Sequence, residues 1–169
     1  MMTRVLIVIG VVGILILFLY TLSHKTEPIH PLVGNPAPLQ IFENPDYVHP
    51  HLSQDQSPFL VYFTASWCPH CRAIEKLLIP LGTPLYIVLY RDEKLPSPAL
   101  LNKTIKLVKD PKMEKGVLWG IKGVPSLFLV GKDGTVLWHS AGRLDEPTIQ
   151  NTLLPLLKPK SANDDASDN

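Results

Sequence analysis

Apolar residues fall along the chain in two patterns, and each predicts an element. Phe59 to Thr64 (FLVYFT) and Leu85 to Tyr90 (LYIVLY) are short unbroken runs rich in aromatic and β-branched residues. Runs of that length suit parallel strands buried on both faces. Between them the pattern is spaced: Cys71, Ile74, Leu77 and Leu78 share one helical face, and Arg72, Glu75 and Lys76 point to the other. This spacing predicts a helix from about Pro69 to Ile79, stopped by Pro80 and Gly82. Strand, helix, strand is a βαβ unit, whose crossover is right-handed.

The flanking segments are less regular. Val33 to Phe42 (VGNPAPLQIF) is expected to add a short edge strand, because its prolines exclude it from a sheet centre. Pro96, Pro98 and Pro111 break residues 91–118 into pieces, with a helix expected at 99–108 and a short one near 112–119. Ser126 to Val130, the turn Gly131-Lys132-Asp133-Gly134, and Thr135 to Ser140 read as an antiparallel hairpin. Asp145 caps a last helix with Pro147 in its first turn. Pro155 limits that helix to 146–154, with a kink onward to Leu157. The class implied is α/β, a central mixed sheet flanked by helices. No internal repeat is present.

The two ends do not belong to this domain. Val5 to Leu22 is an apolar run of eighteen positions. At 1.5 Å rise per residue it nearly spans a hydrocarbon core of about 30 Å, and it exceeds the h-region of a cleaved signal peptide. It is expected to be an uncleaved transmembrane signal-anchor. The tail from 158 to 169 is polar and too poor in apolar surface to order itself. The expected organisation is a short segment 1–4, the anchor 5–22, a spacer 23–31, a single domain 32–157, and the disordered tail.

Charge adds little. Sixteen Lys and Arg against fifteen Asp and Glu leave a net +1, which argues against a nucleic-acid partner. The histidines His24, His30, His49, His51 and His139 are expected in loops or at the surface, and Trp119 and Trp138 in packing.

Cysteine changes the picture. The chain has only two, Cys68 and Cys71, where a buried strand turns into a helix. Cys68 falls at the N-cap and Pro69 at the first helical position, where its missing N–H costs nothing. Unpaired N–H groups and the positive end of the helix dipole then face the Cys68 sulfur and favour thiolate. His70, when protonated, adds a positive charge. Such surroundings lower a cysteine pKa from about 8.5 to about 3.5–7.5. Cys71, one turn deeper, is expected to be shielded. A substrate thiolate would attack the exposed Cys68 sulfur of a Cys68–Cys71 disulfide; in the reducing direction Cys68 attacks and Cys71 resolves.

Phe63 to Cys71 (FTASWCPHC) resembles the active-site segment of the thioredoxin superfamily, and Gly123-Val124-Pro125-Ser126 resembles its cis-proline loop. Val33-Gly34-Asn35-Pro36-Ala37-Pro38, with Gly131-Lys132-Asp133-Gly134, is similar to the membrane-anchored TlpA/ResA-like branch. Pro69-His70 is similar to the oxidising DsbA-type enzymes. The resemblance covers about residues 32–157. It implies a thioredoxin fold, a cis Val124–Pro125 bond, and a redox-active Cys68–Cys71 pair tuned by Pro69 and His70. Trp67, Val124 and Pro125 would form the substrate-docking surface. It further implies thiol–disulfide exchange on cysteine-containing proteins, a membrane redox partner, and a periplasmic domain on a bacterial inner membrane. Oxidation or isomerisation is favoured over reduction. No cofactor or metal is implied. One departure is Tyr62, at a position where many relatives carry a buried carboxylate; a phenol of pKa near 10 is not an equivalent base.

Rival readings remain for the pair. A structural zinc site needs four ligands, and only His49 and His51 are at hand to complete it. Haem attachment requires His after the second cysteine, where this chain has Arg72. An inert disulfide closing so short a loop stabilises little. A non-catalytic binding or assembly module is the alternative of another class.

Overall fold

The computed structural model describes residues 12–16, 29–49, 58–142 and 144–157. Six strands form one mixed sheet: β1 (Tyr47–Val48), β2 (Phe59–Thr64), β3 (Leu85–Tyr90), β4 (Thr104–Asp110), β5 (Ser126–Val130) and β6 (Val136–Ala141), in the order β1-β4-β3-β2-β5-β6. The β2–β3 and β3–β4 pairs are parallel, and the rest are antiparallel. Both apolar runs read from the sequence are strands at the sheet centre, and every residue in them is buried. Helix α1 (Pro69–Leu78) joins them, followed by a 3-10 turn, Ile79–Leu81, that ends in Gly82 at φ +69°.

The sheet divides the core in two. On one face Leu60, Tyr62, Ile87 and Leu89 pack with Cys68, Cys71, Ile74 and Leu78, and with Ile149 and Leu153 from the C-terminal segment. On the other, Val61, Phe63, Val88 and Phe128 pack with Phe42, Trp119 and Val136. Alternate strand residues supply the two faces, as the period of two requires.

Three expectations need correction. The edge strand expected at Val33 to Phe42 is two isolated bridges, Val33 to Val136 and Pro36 to Thr135, followed by a 3-10 turn, Leu39–Phe42. Pro36 and Pro38 have no N–H to extend a ladder. The helix expected at 99–108 is only α2 (Pro98–Leu101), and β4 occupies the rest. Lys106 and Lys109 are the two half-buried positions of this strand, which is otherwise buried and is paired on either side by β3 and β1. Glu75, placed on the solvent face of α1, is half-buried.

Elsewhere expectation and structure agree closely. Helix α3 (Glu114–Leu118) lies in the stretch expected near 112–119. It approaches β3 so closely that a Cβ on Gly116 would fall 2.7 Å from the Tyr90 ring. The β5–β6 hairpin forms, with Gly134 at φ +81° in its turn. The Asp145 carboxylate accepts from the Thr148 amide at 2.9 Å, capping Glu146–Thr148. The chain then widens into a π-helix, Ile149–Leu153, before Leu154–Leu157. Pro155 lies within that last piece, where it cannot donate to the helix ladder. Among the described residues no helix is long and apolar enough to cross a membrane. Of the expected anchor only residues 12–16, which are helical, are described; the rest of it and the tail 158–169 lie outside the described residues.

Candidate active site

The site begins where β2 ends. After Thr64 the chain turns through Ala65, Ser66 and Trp67, and Cys68 is the N-cap of α1, extended at φ −94° and ψ 107°, with Pro69 following in the first turn. The Cys71 amide donates to Cys68 Sγ at 3.1 Å. This is the bond an N-cap oxygen accepts from the third helical residue, here accepted by sulfur. The two cysteines form a disulfide with a Cα–Cα distance of 5.3 Å. Cys71 is fully buried, but Cys68 is only 3 % exposed, so the sulfur expected at the surface lies under cover within the apolar cluster.

The next strand fixes the turn. The Ser66 amide donates to the Asp92 carboxylate, just beyond β3, which also accepts from the amides of Glu93 (2.8 Å) and Lys94 (3.0 Å). Burial works to raise the Asp92 carboxyl, but these hydrogen bonds outweigh it and hold the group below the usual carboxylate range. Trp67 is 56 % exposed and donates through Nε1 to the Arg91 carbonyl at 3.3 Å. Trp67 and Arg91 line an open cleft of about 360 Å³. Pro69 and His70 are exposed beside it in sequence.

The remaining expected residues come from the β5 side. The Val124–Pro125 bond is cis. Val124 packs against the apolar cluster that contains both cysteines, and the Pro125 carbonyl accepts from the Gly142 amide at 2.9 Å. The fold thus gathers Cys68, Cys71 and Val124 around one cluster, while the exposed Trp67 precedes Cys68 and bonds to Arg91.

Beneath the cysteines lies a polar group that the sequence pattern did not single out as a unit. The Tyr62 hydroxyl donates to the Cys71 carbonyl at 3.0 Å, and the Thr64 hydroxyl donates to Glu75 Oε1 at 3.4 Å. Burial pushes the Tyr62 phenol well above its ordinary 10, with the nearby Glu75 charge adding to the rise and a hydrogen bond with Thr64 opposing it. Burial also raises the Glu75 carboxyl, while Thr64 and Arg72 draw it part of the way back. The signal for Glu75 was its spacing: with Cys71, Ile74 and Leu78 it completes the i, i+3, i+4, i+7 set of a buried face.

Of the histidines expected in loops or at the surface, His30 lies in a loop and His139 on β6, both packed on the opposite face of the sheet. His30 and His139 are half-buried, their ring centroids 4.2 Å apart, and both contact Phe128. Burial, and secondarily the His30 charge, lower the His139 pKa to about 4. His49 sits by the sheet edge, its amide donating to the Ile105 carbonyl at 3.1 Å; His24 and His51 lie outside the described residues. Among the described residues no group of three or more His, Cys, Asp or Glu side chains is placed to hold a metal ion.

Residues 41–91, which span the cysteine motif, match the Thioredoxin family model. The thiol:disulfide interchange protein DsbE of Haemophilus influenzae is 31% identical over 136 residues, covering 74% of this chain and 75% of the relative. The chain belongs to the DsbE family of thiol:disulfide interchange proteins. DsbE of Xylella fastidiosa (strain Temecula1) is 28% identical over 169 residues, covering 90% of this chain and 86% of its own length. The thiol:disulfide interchange protein HelX of Rhodobacter capsulatus is 35% identical over 105 residues, covering 58% of this chain and 60% of the relative. The fold is that of thioredoxin, and the activity of this DsbE-family chain is thiol–disulfide exchange through a Cys-x-x-Cys pair.

Proposed function

We propose that Cys68 is the exchanging sulfur and Cys71 the resolving one, acting on cysteine pairs of other proteins outside the cytoplasm. One contact carries this assignment: the Cys71 amide aimed at Cys68 Sγ, 3.1 Å away. A donor fixed at the head of a helix stabilises thiolate on Cys68, and among the described residues no such donor meets the Cys71 sulfur. Stabilising the thiolate stabilises the reduced pair and raises its potential above the thioredoxin value of about −270 mV. That poise favours oxidation or isomerisation of substrate thiols. Trp67 and the Val124 backbone beside cis-Pro125 receive the substrate segment, pairing it in the manner of strand addition. Pro69 and His70 tune the sulfur.

The apolar run Val5 to Leu22 tethers the domain to a membrane, and a membrane partner resets the pair. The relatives named above are all bacterial, which supports an inner membrane and a periplasmic domain. Alkaline extraction that freed the full chain from bacterial membranes would contradict the tether.

The decisive experiment is a titration of the reduced protein. Cys68 alone should alkylate at mildly acid pH, with a pKa within about 3.5–7.5. Equilibration with glutathione should give a potential above about −270 mV. A single ordinary thiol value near 8.5 for both cysteines would overturn the assignment.

A further inference from the structure

Just past the end of β3 stands a residue whose side chain packing does not explain. Arg91 has φ +51°, in the left-handed region. Glycine takes that conformation freely, and Asn, Asp and His are enriched among the other residues that take it. A long side chain has no conformational advantage there. The backbone of Arg91 is committed to the fold: its carbonyl accepts from Trp67 Nε1 at 3.3 Å, and its amide donates to the Asp110 carbonyl at 2.9 Å. Glycine or asparagine would make both bonds equally well. The guanidinium is committed to nothing. Arg91 is exposed, and among the described residues its side chain has no hydrogen-bond or ion-pair partner.

The space beside it is the open cleft of about 360 Å³ that Arg91 lines together with Trp67. Trp67 immediately precedes Cys68, so a segment whose sulfur reaches Cys68 passes close to this cleft. The neighbouring charges leave the guanidinium available. Asp92 turns its carboxylate to the amides of Ser66, Glu93 and Lys94. Glu93 and Lys94 are both exposed and opposite in sign, and the exposed Arg72 of α1 is a further positive charge. An indole ring beside a guanidinium suits one kind of side chain, with an apolar stem and a carboxylate end. The stem lies on the ring, and the carboxylate meets the planar fork of N–H donors. A lysine in the same place would meet like charge.

We propose that Arg91 is a specificity-determining residue of the exchange reaction, selecting polypeptide substrates that carry a glutamate or aspartate beside the reactive cysteine. The acidic side chain lies along Trp67 and pairs with the Arg91 guanidinium while the substrate sulfur faces Cys68. This deepens the reading of Cys68 as the exchanging sulfur and rests on it. An exposed charge of this kind acts mainly on the rate of capture and on its salt dependence.

The test uses the oxidised full-length protein and dithiol peptides that are identical except for Glu, Gln or Lys beside the first cysteine. Pairs of peptides competing in one tube report the ratio of their kcat/KM values, and each peptide alone gives its rate. A flanking charge also alters the peptide thiol itself, so the reading is the change in preference between wild type and variant. The Glu-over-Gln preference of the wild type should exceed that of Arg91→Gln about threefold, the size of an exposed charge pair. The excess should vanish at about 1 M salt. Arg91→Glu should shift the preference toward the Lys peptide. Preferences that are the same in wild type, Arg91→Gln and Arg91→Glu would overturn the proposal. So would an Arg91→Gln effect uniform across the peptides, which would make the residue a tuner of the sulfur. Trapping with the oxidised peptides separates the two levels. If they are captured by Cys68→Ser and not by Cys71→Ser, the exchanging sulfur is misassigned and this proposal falls with it. If Cys71→Ser captures them and the preferences ignore residue 91, only this proposal falls.

Discussion

The two faces of the sheet treat polar atoms in opposite ways. On the α1 face, the Tyr62 hydroxyl and the Thr64 hydroxyl each have a partner, the Cys71 carbonyl and Glu75. On the far face, Trp119 Nε1, His30 Nε2 and His139 Nε2 are buried with no hydrogen-bond partner among the described residues. All three rings pack around Phe128, with centroid distances of 4.8, 5.1 and 4.3 Å. A buried unsatisfied group costs about 1–3 kcal/mol. The far face tolerates this because its large rings contribute area and edge contacts there. The near face keeps these two hydroxyls satisfied, one of them on the carbonyl of Cys71 itself. Adjacent residues of one strand, Tyr62 and Phe63, thus belong to different economies, one serving chemistry and the other cohesion.

The largest test of that division is on the far face. Trp119→Ala should destabilise the fold by about 3–5 kcal/mol, measured by denaturant titration, while the Cys68–Cys71 potential of the folded fraction stays put. A shifted potential would show that the faces are coupled. A smaller effect is expected on the near face, where Tyr62→Phe removes one buried bond and should cost about 1 kcal/mol. If it were instead stabilising, the hydroxyl would be there for function alone.

The smallest effect is on pH dependence. His139 binds its proton near 6.5 when unfolded and only near 4 when folded. Between those values the unfolded chain holds more protons, so stability falls as pH drops from 6.5 toward 4 and is flat above 6.5 with respect to this group. The ring is half-buried, so the slope should be shallow. His139→Phe should flatten it in thermal melts taken across that range; an unchanged slope would assign it to other groups.

Much of this was legible from pattern alone. The central strands, α1 and the hairpin follow from unbroken apolar runs, helical spacing and a turn-rich tetrapeptide, all of which are local signals. The Cys68 N-cap was readable because Pro69 marks a helix start. What escaped was set by contacts distant in sequence. Strand β4 carries two lysines and becomes a strand because β3 and β1 pair with it on either side. His139 reads as a loop or surface residue because nothing near it in sequence says that His30, more than a hundred positions earlier, packs on it. Glu75 reads as part of the face opposite Cys71, Ile74, Leu77 and Leu78, and its contact with Thr64 on β2 lies eleven residues away in sequence.

The turn before Cys68 is held by the far end of the next strand, through Asp92 to the Ser66 amide and the Arg91 carbonyl to the Trp67 ring. A growing chain that has emerged only as far as α1 therefore carries both cysteines without the brace that aims them. Competence arrives when the crossover closes and residue 92 docks, which ties the onset of reactivity to a folding event instead of to the presence of the motif.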